Sequence, residues 1–267
     1  MKKIGIVGCG AIGEGVALSI NKAASNQFVL TALADKRKTA AASLNKKLSK
    51  KAKIKNIKKL VEEVDLVIEA ASQAAALEVI QHALGHKKDL IILSVGALIK
   101  NPNIIKEIRT KKINLYIPSG AISGIDGLAA LSQGNIKKMT LTTSKPPAGL
   151  AGAKYLKNKK INMGKAIKPV TIFSGNVTEA IRHFPKNINV AATLFLASKF
   201  DKIKVIIKLN PKIKKNIHKI EAVADEAKIK IEVENASSKM NPKTSALTIL
   251  SVQHLLEKIF SSFKIGT

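Results

Sequence analysis

One glycine-rich turn constrains this chain more than any other feature. The segment IGIVGCGAIGEG, Ile4 to Gly15, places Gly8, Gly10 and Gly13 in the spacing G-x-G-x-x-G. Glycines in that spacing are common, so the weight lies in what flanks them. KIGIV before the turn reads as a buried strand, and AIGEGVALSINKAA after it reads as a helix with one apolar face. Asp35 closes the next apolar run, FVLTALA, 22 residues beyond Gly13. Strand, turn, helix and acid in this order are the parts of a βαβ unit that holds a dinucleotide. Gly8 then permits the tight bend, Gly10 lets the backbone approach a pyrophosphate, and Gly13 lets the helix pack closely on the strand. The N–H groups at Ala11, Ile12 and Gly13, at the positive end of the helix, face the phosphates. Asp35 accepts hydrogen bonds from the adenosine ribose.

The same residues bear on which dinucleotide fits. A 2′-phosphate beside Asp35 is repelled, which favours NAD, whereas Lys36, Arg37 and Lys38 directly after it offer partners for that phosphate. Both NAD and NADP are therefore expected, with NAD slightly favoured. Cys9 sits among the glycines, where a thiol at a helix start is open to activation. The simpler reading is a small residue wedged into the turn.

Periodicity extends the βαβ unit into a domain. Short apolar runs (VDLVIEA, DLIILSV, INLYIP, with a short strand near Lys53–Lys55) alternate with helical stretches up to Pro118. That rhythm predicts a Rossmann-type, doubly wound parallel sheet over residues 1–118. The turn-rich IPSGAISGIDG marks a boundary. Residues 119–243 carry longer, alternating strands, MTLTTS, VTIFS, KIKVIIKL, IHKIEAVA and KIKIEVE, as expected of an α/β (α+β) domain with a largely antiparallel or mixed sheet. Residues 244–267 read as a closing amphipathic helix. No apolar run approaches the roughly 20 residues that span a bilayer, and the N-terminus lacks the pattern of a signal peptide.

Charge raises a competing class. The chain has 46 Lys and Arg against 18 Asp and Glu, a net charge of +28. Only Arg37, Arg109 and Arg182 are arginines, the lysines are spread along the chain, and tryptophan is missing. Forked phosphate contacts and stacking platforms are thus scarce, so no specific nucleic-acid partner is expected, only weak polyanion sticking. With Cys9 the single cysteine, a disulfide framework is excluded and a reduced, cytoplasmic setting expected. The histidines and acids lack metal-ligand spacing.

Five stretches beyond the first domain, PSGAISGID, SKPPAGL, FPKNINVAATLFLA, NIHKIEA and NPKTSAL, carry further information together with VGCGAIG and SVGAL. In order and wording they resemble the L-aspartate dehydrogenase family across essentially the entire chain. The resemblance implies NAD(P)-dependent oxidation of L-aspartate to iminoaspartate, which yields oxaloacetate and ammonia or feeds NAD biosynthesis, in a homodimer. It implies that His218, in the N-x-H of NIHKIEA, is the catalytic group. Read without it, a lone histidine on a face with Ile220, Ala222 and Ala224 is more often a satisfied core residue. The resemblance further points to an asparagine of PKNIN (Asn189 first, Asn187 second) and to Ala121 as nicotinamide contacts. An asparagine starting the helix NVAATL also suits a cap. Ala71 and Ser72 lie at the carboxyl end of a parallel strand, where ligands of such sheets bind. Lys243, Thr244 and Ser245, read as the start of the last helix, are candidate partners for the substrate carboxylates. Thr143, Ser144 and Lys145 are weaker ones, and His183 is a reserve for His218. Two alternatives remain: the same fold acting on another amino acid or small dicarboxylate, and a non-catalytic dinucleotide- or nucleic-acid-binding protein.

Overall fold

The structure is a computed structural model that describes all residues except 24–25, 152, 154, 157–166, 185–187, 239–240 and 267; at 237–238 and 241–244 it describes the backbone alone. The chain forms two compact units, Met1–Pro118 with Ile249–Phe263, and Ser119–Thr248 with a short terminal piece from Lys264.

In the first unit, strands β1 (Lys2–Val7), β2 (Phe28–Ala34), β3 (Lys53–Ile54), β4 (Leu66–Glu69), β5 (Asp89–Ile92) and β6 (Leu115–Tyr116) alternate with helices. These are α1 (Ala11–Lys22), α2 (Lys38–Lys47), α3 (Ile57–Glu63), α4 (Gln73–His86), α5 (Gly96–Lys100) and α6 (Asn103–Lys111). The sheet order is β3-β2-β1-β4-β5-β6, with every pairing parallel. This is the doubly wound order whose reversal lies between β1 and β4. Strands β4 and β5 are apolar on both faces because helices cover both sides, which is why LVIE and LII do not alternate.

The second unit holds α7 (Ile125–Leu131), β7 (Ile136–Lys145), α8 (Pro147–Leu150), β8 (Val170–Gly175), α9 (Val177–His183), α10 (Asn189–Ser198), β9 (Lys204–Leu209), β10 (Asn216–Ala224) and β11 (Lys228–Asn235). Its sheet runs β11-β10-β7-β9-β8 and is mixed, with β7 and β9 parallel and the other pairs antiparallel. Strict alternation in β10 buries His218, Ile220 and Ala222 and turns Lys219 and Glu221 outward. A two-stranded ribbon, β12 (Ser237–Ser238) and β13 (Asn241–Ser245), precedes the closing helix α11 (Ala246–Phe260). From that helix Val252 and Leu256 join the core of the first unit with Ile4, Ile6, Val16 and Leu33. The rings of Phe28 and Phe260 lie 5.0 Å apart.

The ribbon corrects one expectation. Lys243, Thr244 and Ser245 do not begin the last helix; they belong to β13, and α11 starts at Ala246. The physical reason is a competing backbone partner: β13 pairs antiparallel with β12, and Ala246 N donates to Ala236 O at 3.0 Å. The rationale of a free helix start for these three residues therefore falls away.

Candidate functional site

The glycine turn has the shape its sequence demands. Gly8 adopts φ +100, a conformation that side chains disfavour. A Cβ added at Gly13 would lie 1.8 Å from Gly8 O, so α1 can pack there only without a side chain. At Gly10, the residue capping α1, an added Cβ would meet nothing within 4 Å. Gly8 and Gly13 are thus required by the protein's own packing. Gly10 instead borders open space beside the N–H groups of Ala11, Ile12 and Gly13, which have no acceptor within the helix. A glycine that packing does not require, facing open space at a helix start, fits a passing diphosphate.

Asp35 is tied to this turn. Its Oδ2 accepts from Cys9 N at 2.8 Å and its Oδ1 from Arg37 N at 2.8 Å, with Arg37 Nε 3.6 Å from Oδ1. The carboxylate holds the loop. Cys9 is buried, and burial with the Asp35 charge pushes its thiol up to about 12. It stays a neutral thiol in its turn.

At the same edge of the sheet, Glu69 ends β4 with no exposed surface. Its Oε1 accepts from Ala71 N (2.8 Å), Ser72 N (3.0 Å) and Ser94 Oγ (2.8 Å), and its Oε2 from Ser94 N (3.0 Å). Burial raises the carboxyl pKa, while these donors favour the ionised form. The Ala71 and Ser72 N–H groups are thereby used inside the protein. Ser72 Oγ also accepts from Ala75 N at 3.2 Å as the cap of α4. Both residues are exposed, and Ala71 adjoins the turn, its Cβ lying 2.8 Å from a Cβ added at Gly8. What they offer a ligand is surface and carbonyls.

In the second unit, His218 is 4% exposed on the apolar face of the mixed sheet. Its Nδ1 lies 3.0 Å from Thr143 Oγ1, directly across on β7. Burial first, and the Lys145 charge second, push the imidazole down to about 3, so it is neutral in the free protein. Lys145, two residues beyond Thr143 on the same face, is 7% exposed, and burial lowers its ammonium to about 8. His183 sits elsewhere in this unit, its ring 4.7 Å from Tyr155 and 5.9 Å from Phe173.

A further buried polar pair lies at the end of β11. Asn235, 3% exposed, donates from Nδ2 to Ala121 O at 3.0 Å and accepts on Oδ1 from Ser245 Oγ. It ties the Ala121 turn to the residue before α11. Asn189 opens α10 but does not cap it; Ile188 holds the cap position, and among the described residues Asn189 Oδ1 is buried with no hydrogen-bond partner. A buried acceptor left open beside a helix start fits a donor supplied by a ligand. Asn187 lies outside the described residues, as do the side chains of Lys243 and Thr244.

A family model described as the C-terminal domain of aspartate dehydrogenase matches residues 126–259, and one described as the NAD-binding domain of homoserine dehydrogenase matches residues 8–118. The chain is 40% identical to the L-aspartate dehydrogenase of Methanosarcina mazei and 37% identical to that of Methanocaldococcus jannaschii, each aligned over the whole of both chains. The chain belongs to the L-aspartate dehydrogenase family. A pyridine nucleotide is accordingly its cofactor class.

The solved aspartate dehydrogenase of Thermotoga maritima has the same fold, with a TM-score of 0.78 at 24% identity over all of both chains. A myo-inositol dehydrogenase from Lactobacillus casei, solved with NAD(H) and myo-inositol, has a TM-score of 0.63 at 12% identity, covering 97% of this chain and 85% of that one. For this member of the L-aspartate dehydrogenase family, sequence reasoning missed Glu69 and Asn235. Glu69 had a local signal, an acid ending an otherwise apolar strand. The partners of Asn235 at Ala121 and Ser245 left none. Among the described residues no cluster of His, Cys, Asp or Glu is suited to a metal, and no helix is long and apolar enough to cross a membrane.

Proposed function

We propose that this protein oxidises L-aspartate at its α-carbon with NAD or NADP, giving iminoaspartate, which water converts to oxaloacetate and ammonia. The observation that carries the reading is His218, a buried neutral imidazole fixed by Thr143, in a chain whose relatives are L-aspartate dehydrogenases. A bound nicotinamide supplies the acceptor for the α-hydrogen and its electron pair. Gly8, Gly10, Ala11, Ile12 and Gly13 hold the diphosphate through backbone N–H groups, Asp35 takes the ribose, and Ala71 and Ser72 border it. Ala121, Asn189 and Asn187 serve the nicotinamide end.

His218 takes the proton released from the substrate nitrogen and later activates the water that attacks the imine. For Nε2 to accept a proton, Nδ1 must carry its hydrogen and donate it to Thr143 Oγ1. The pair fixes the ring orientation, and the Thr143 hydroxyl is able to accept that hydrogen. NAD is slightly favoured through Asp35, and the exposed Arg37 accommodates a 2′-phosphate, so both cofactors are used. Ser245, Thr244 and Lys243 remain substrate-side candidates, now from a strand. The family resemblance supports a homodimer and a role ahead of pyridine-nucleotide synthesis, and the single buried cysteine suits the cytoplasm.

The test is His218→Ala, assayed with a panel of amino acids beside L-aspartate. Turnover of L-aspartate should fall by roughly 10²- to 10⁴-fold while NADH affinity stays near that of the wild type. A well-folded variant with wild-type turnover removes His218 from the mechanism. Wild-type preference for another amino acid removes the substrate assignment.

A further inference from the structure

One buried side chain joins three loops at the carboxyl edge of the first sheet. Strand β4 ends at Glu69, which has no exposed surface, and the next residues, Ala70, Ala71 and Ser72, are small. Small side chains give a loop little packing of its own, and Ala71 and Ser72 are exposed. What fixes their backbone is the Glu69 carboxylate, which accepts from the N–H of both on Oε1. The same carboxylate reaches the loop after β5, accepting from Ser94 Oγ on Oε1 and from Ser94 N on Oε2. The third loop is the glycine turn. Ala70 N donates to Val7 O at 2.8 Å, and Ala70 O and Ala71 Cβ lie 2.6 and 2.8 Å from a Cβ added at Gly8. A carboxylate is costly to bury, and the four donors that converge on this one include no cation.

Sheet order says which part of a dinucleotide this clamp serves. The order reverses between β1 and β4, and the two mononucleotide halves of the ligand lie on the two sides of such a reversal. Asp35 directly follows β2, so the adenosine half belongs on the β2 side and the nicotinamide half at the ends of β4 and β5. We propose that Glu69 is a positioning residue, whose buried carboxylate locks the β4 and β5 loops into one ledge that seats the nicotinamide–ribose half of the cofactor. This rests on the reading of the glycine turn as the dinucleotide site given above. Glu69 acts through the backbone of Ala71, Ser72 and Ser94 and touches no ligand itself. With the Ala71 and Ser72 N–H groups turned inward, the ledge has carbonyls to offer. That suits the hydroxyl donors of a ribose better than the oxygens of a phosphate.

The experiment measures NADH binding by fluorescence and ADP binding by calorimetry in wild type and Glu69→Gln, alongside thermal melting. ADP carries the adenosine and both phosphates without the second ribose and its ring. An amide in place of the carboxylate has one acceptor oxygen. Its NH2 group must then face either Ser94 N or the N–H groups of Ala71 and Ser72, and the clamp opens on that side. NADH affinity should fall by about tenfold or more, while ADP affinity stays within about twofold of wild type. A carboxylate with only a structural role lowers the melting temperature and moves both ligands by the same factor or neither, which overturns the proposal.

Ser94→Ala stands beside it in case Glu69→Gln does not fold, since it removes one hydroxyl donor and leaves the backbone donors in place. It should show the same split, with NADH weakened about threefold or more by the loss of one net hydrogen bond. Equal effects on NADH and ADP in this variant overturn the proposal. If wild type binds neither ADP nor NADH, the glycine turn is not a dinucleotide site, and the proposal falls with that reading. If wild type binds both and only the split is missing, the dinucleotide site stands and the clamp alone is refuted.

Discussion

Alanine at Gly10 and at Gly13 should have opposite consequences, although the two glycines stand three residues apart in one turn. At Gly13 the new methyl would lie 1.8 Å from Gly8 O and 3.0 Å from Gly8 C, so the obstacle is backbone. Relief requires α1 to move by more than an ångström away from the strand it packs on. Overpacking costs about 1–3 kcal/mol where side chains can yield; here about 3 kcal/mol or more is expected. At about 2–4 °C per kcal/mol for a chain near this size, melting should drop by roughly 6–12 °C.

Gly10 has φ −80 and ψ −169, a conformation open to alanine, and open space around the new Cβ. A weaker cap is offset by the smaller freedom of the unfolded chain, worth about 0.4–1 kcal/mol, so melting should stay within about 4 °C of wild type. NADH affinity should nevertheless fall at least about tenfold, equivalent to about 1.4 kcal/mol, because the methyl stands where the diphosphate passes. Thermal melting and NADH fluorescence on the same preparations separate the two. Wild-type NADH affinity in Gly10→Ala, or wild-type melting in Gly13→Ala, refutes the division of roles.

Three further outcomes follow from the buried polar groups. Asp35→Ala should shift the ratio of catalytic efficiencies toward NADP and destabilise the turn by about 1–3 kcal/mol, since Cys9 N loses its acceptor; a ratio within about twofold of wild type refutes the ribose assignment. His218 has a folded pKa lowered to about 3 from 6.5, so its contribution to stability is present above about pH 6.5 and is lost as pH falls toward 3. His218→Gln should therefore flatten the acid slope of stability measured by urea unfolding, and an unchanged slope contradicts the buried neutral imidazole. Cys9, with its thiol raised to about 12, should resist iodoacetamide at about pH 8 in the folded protein and react once unfolded.

The first sheet was legible in the sequence because burial on both faces writes itself as short apolar runs between amphipathic helices. β10 and β11 were legible because one buried face writes itself as alternation. Helices α5 and α7 were not foreseen. Each is seven residues or fewer and contains glycine, so local propensity gives no signal. NPKTS carried a convincing local pattern for a helix start, yet pairing with Ser237–Ser238 decided its conformation. The candidate site divides in the same way. Gly8, Gly13 and Asp35 act on neighbours within one βαβ unit, where spacing is informative. Thr143 reaches His218 across 75 positions and Asn235 reaches Ala121 across 114, distances over which only the folded sheet supplies the partner.

The central claim is that the α-hydrogen of L-aspartate passes as hydride to the nicotinamide. L-aspartate deuterated at the α-carbon, incubated with NAD and the purified protein, tests it directly by mass spectrometry of the reduced cofactor. The account requires one deuterium in each NADH formed. A reduced cofactor without deuterium, or no NADH from NAD and no NADPH from NADP with L-aspartate, contradicts it.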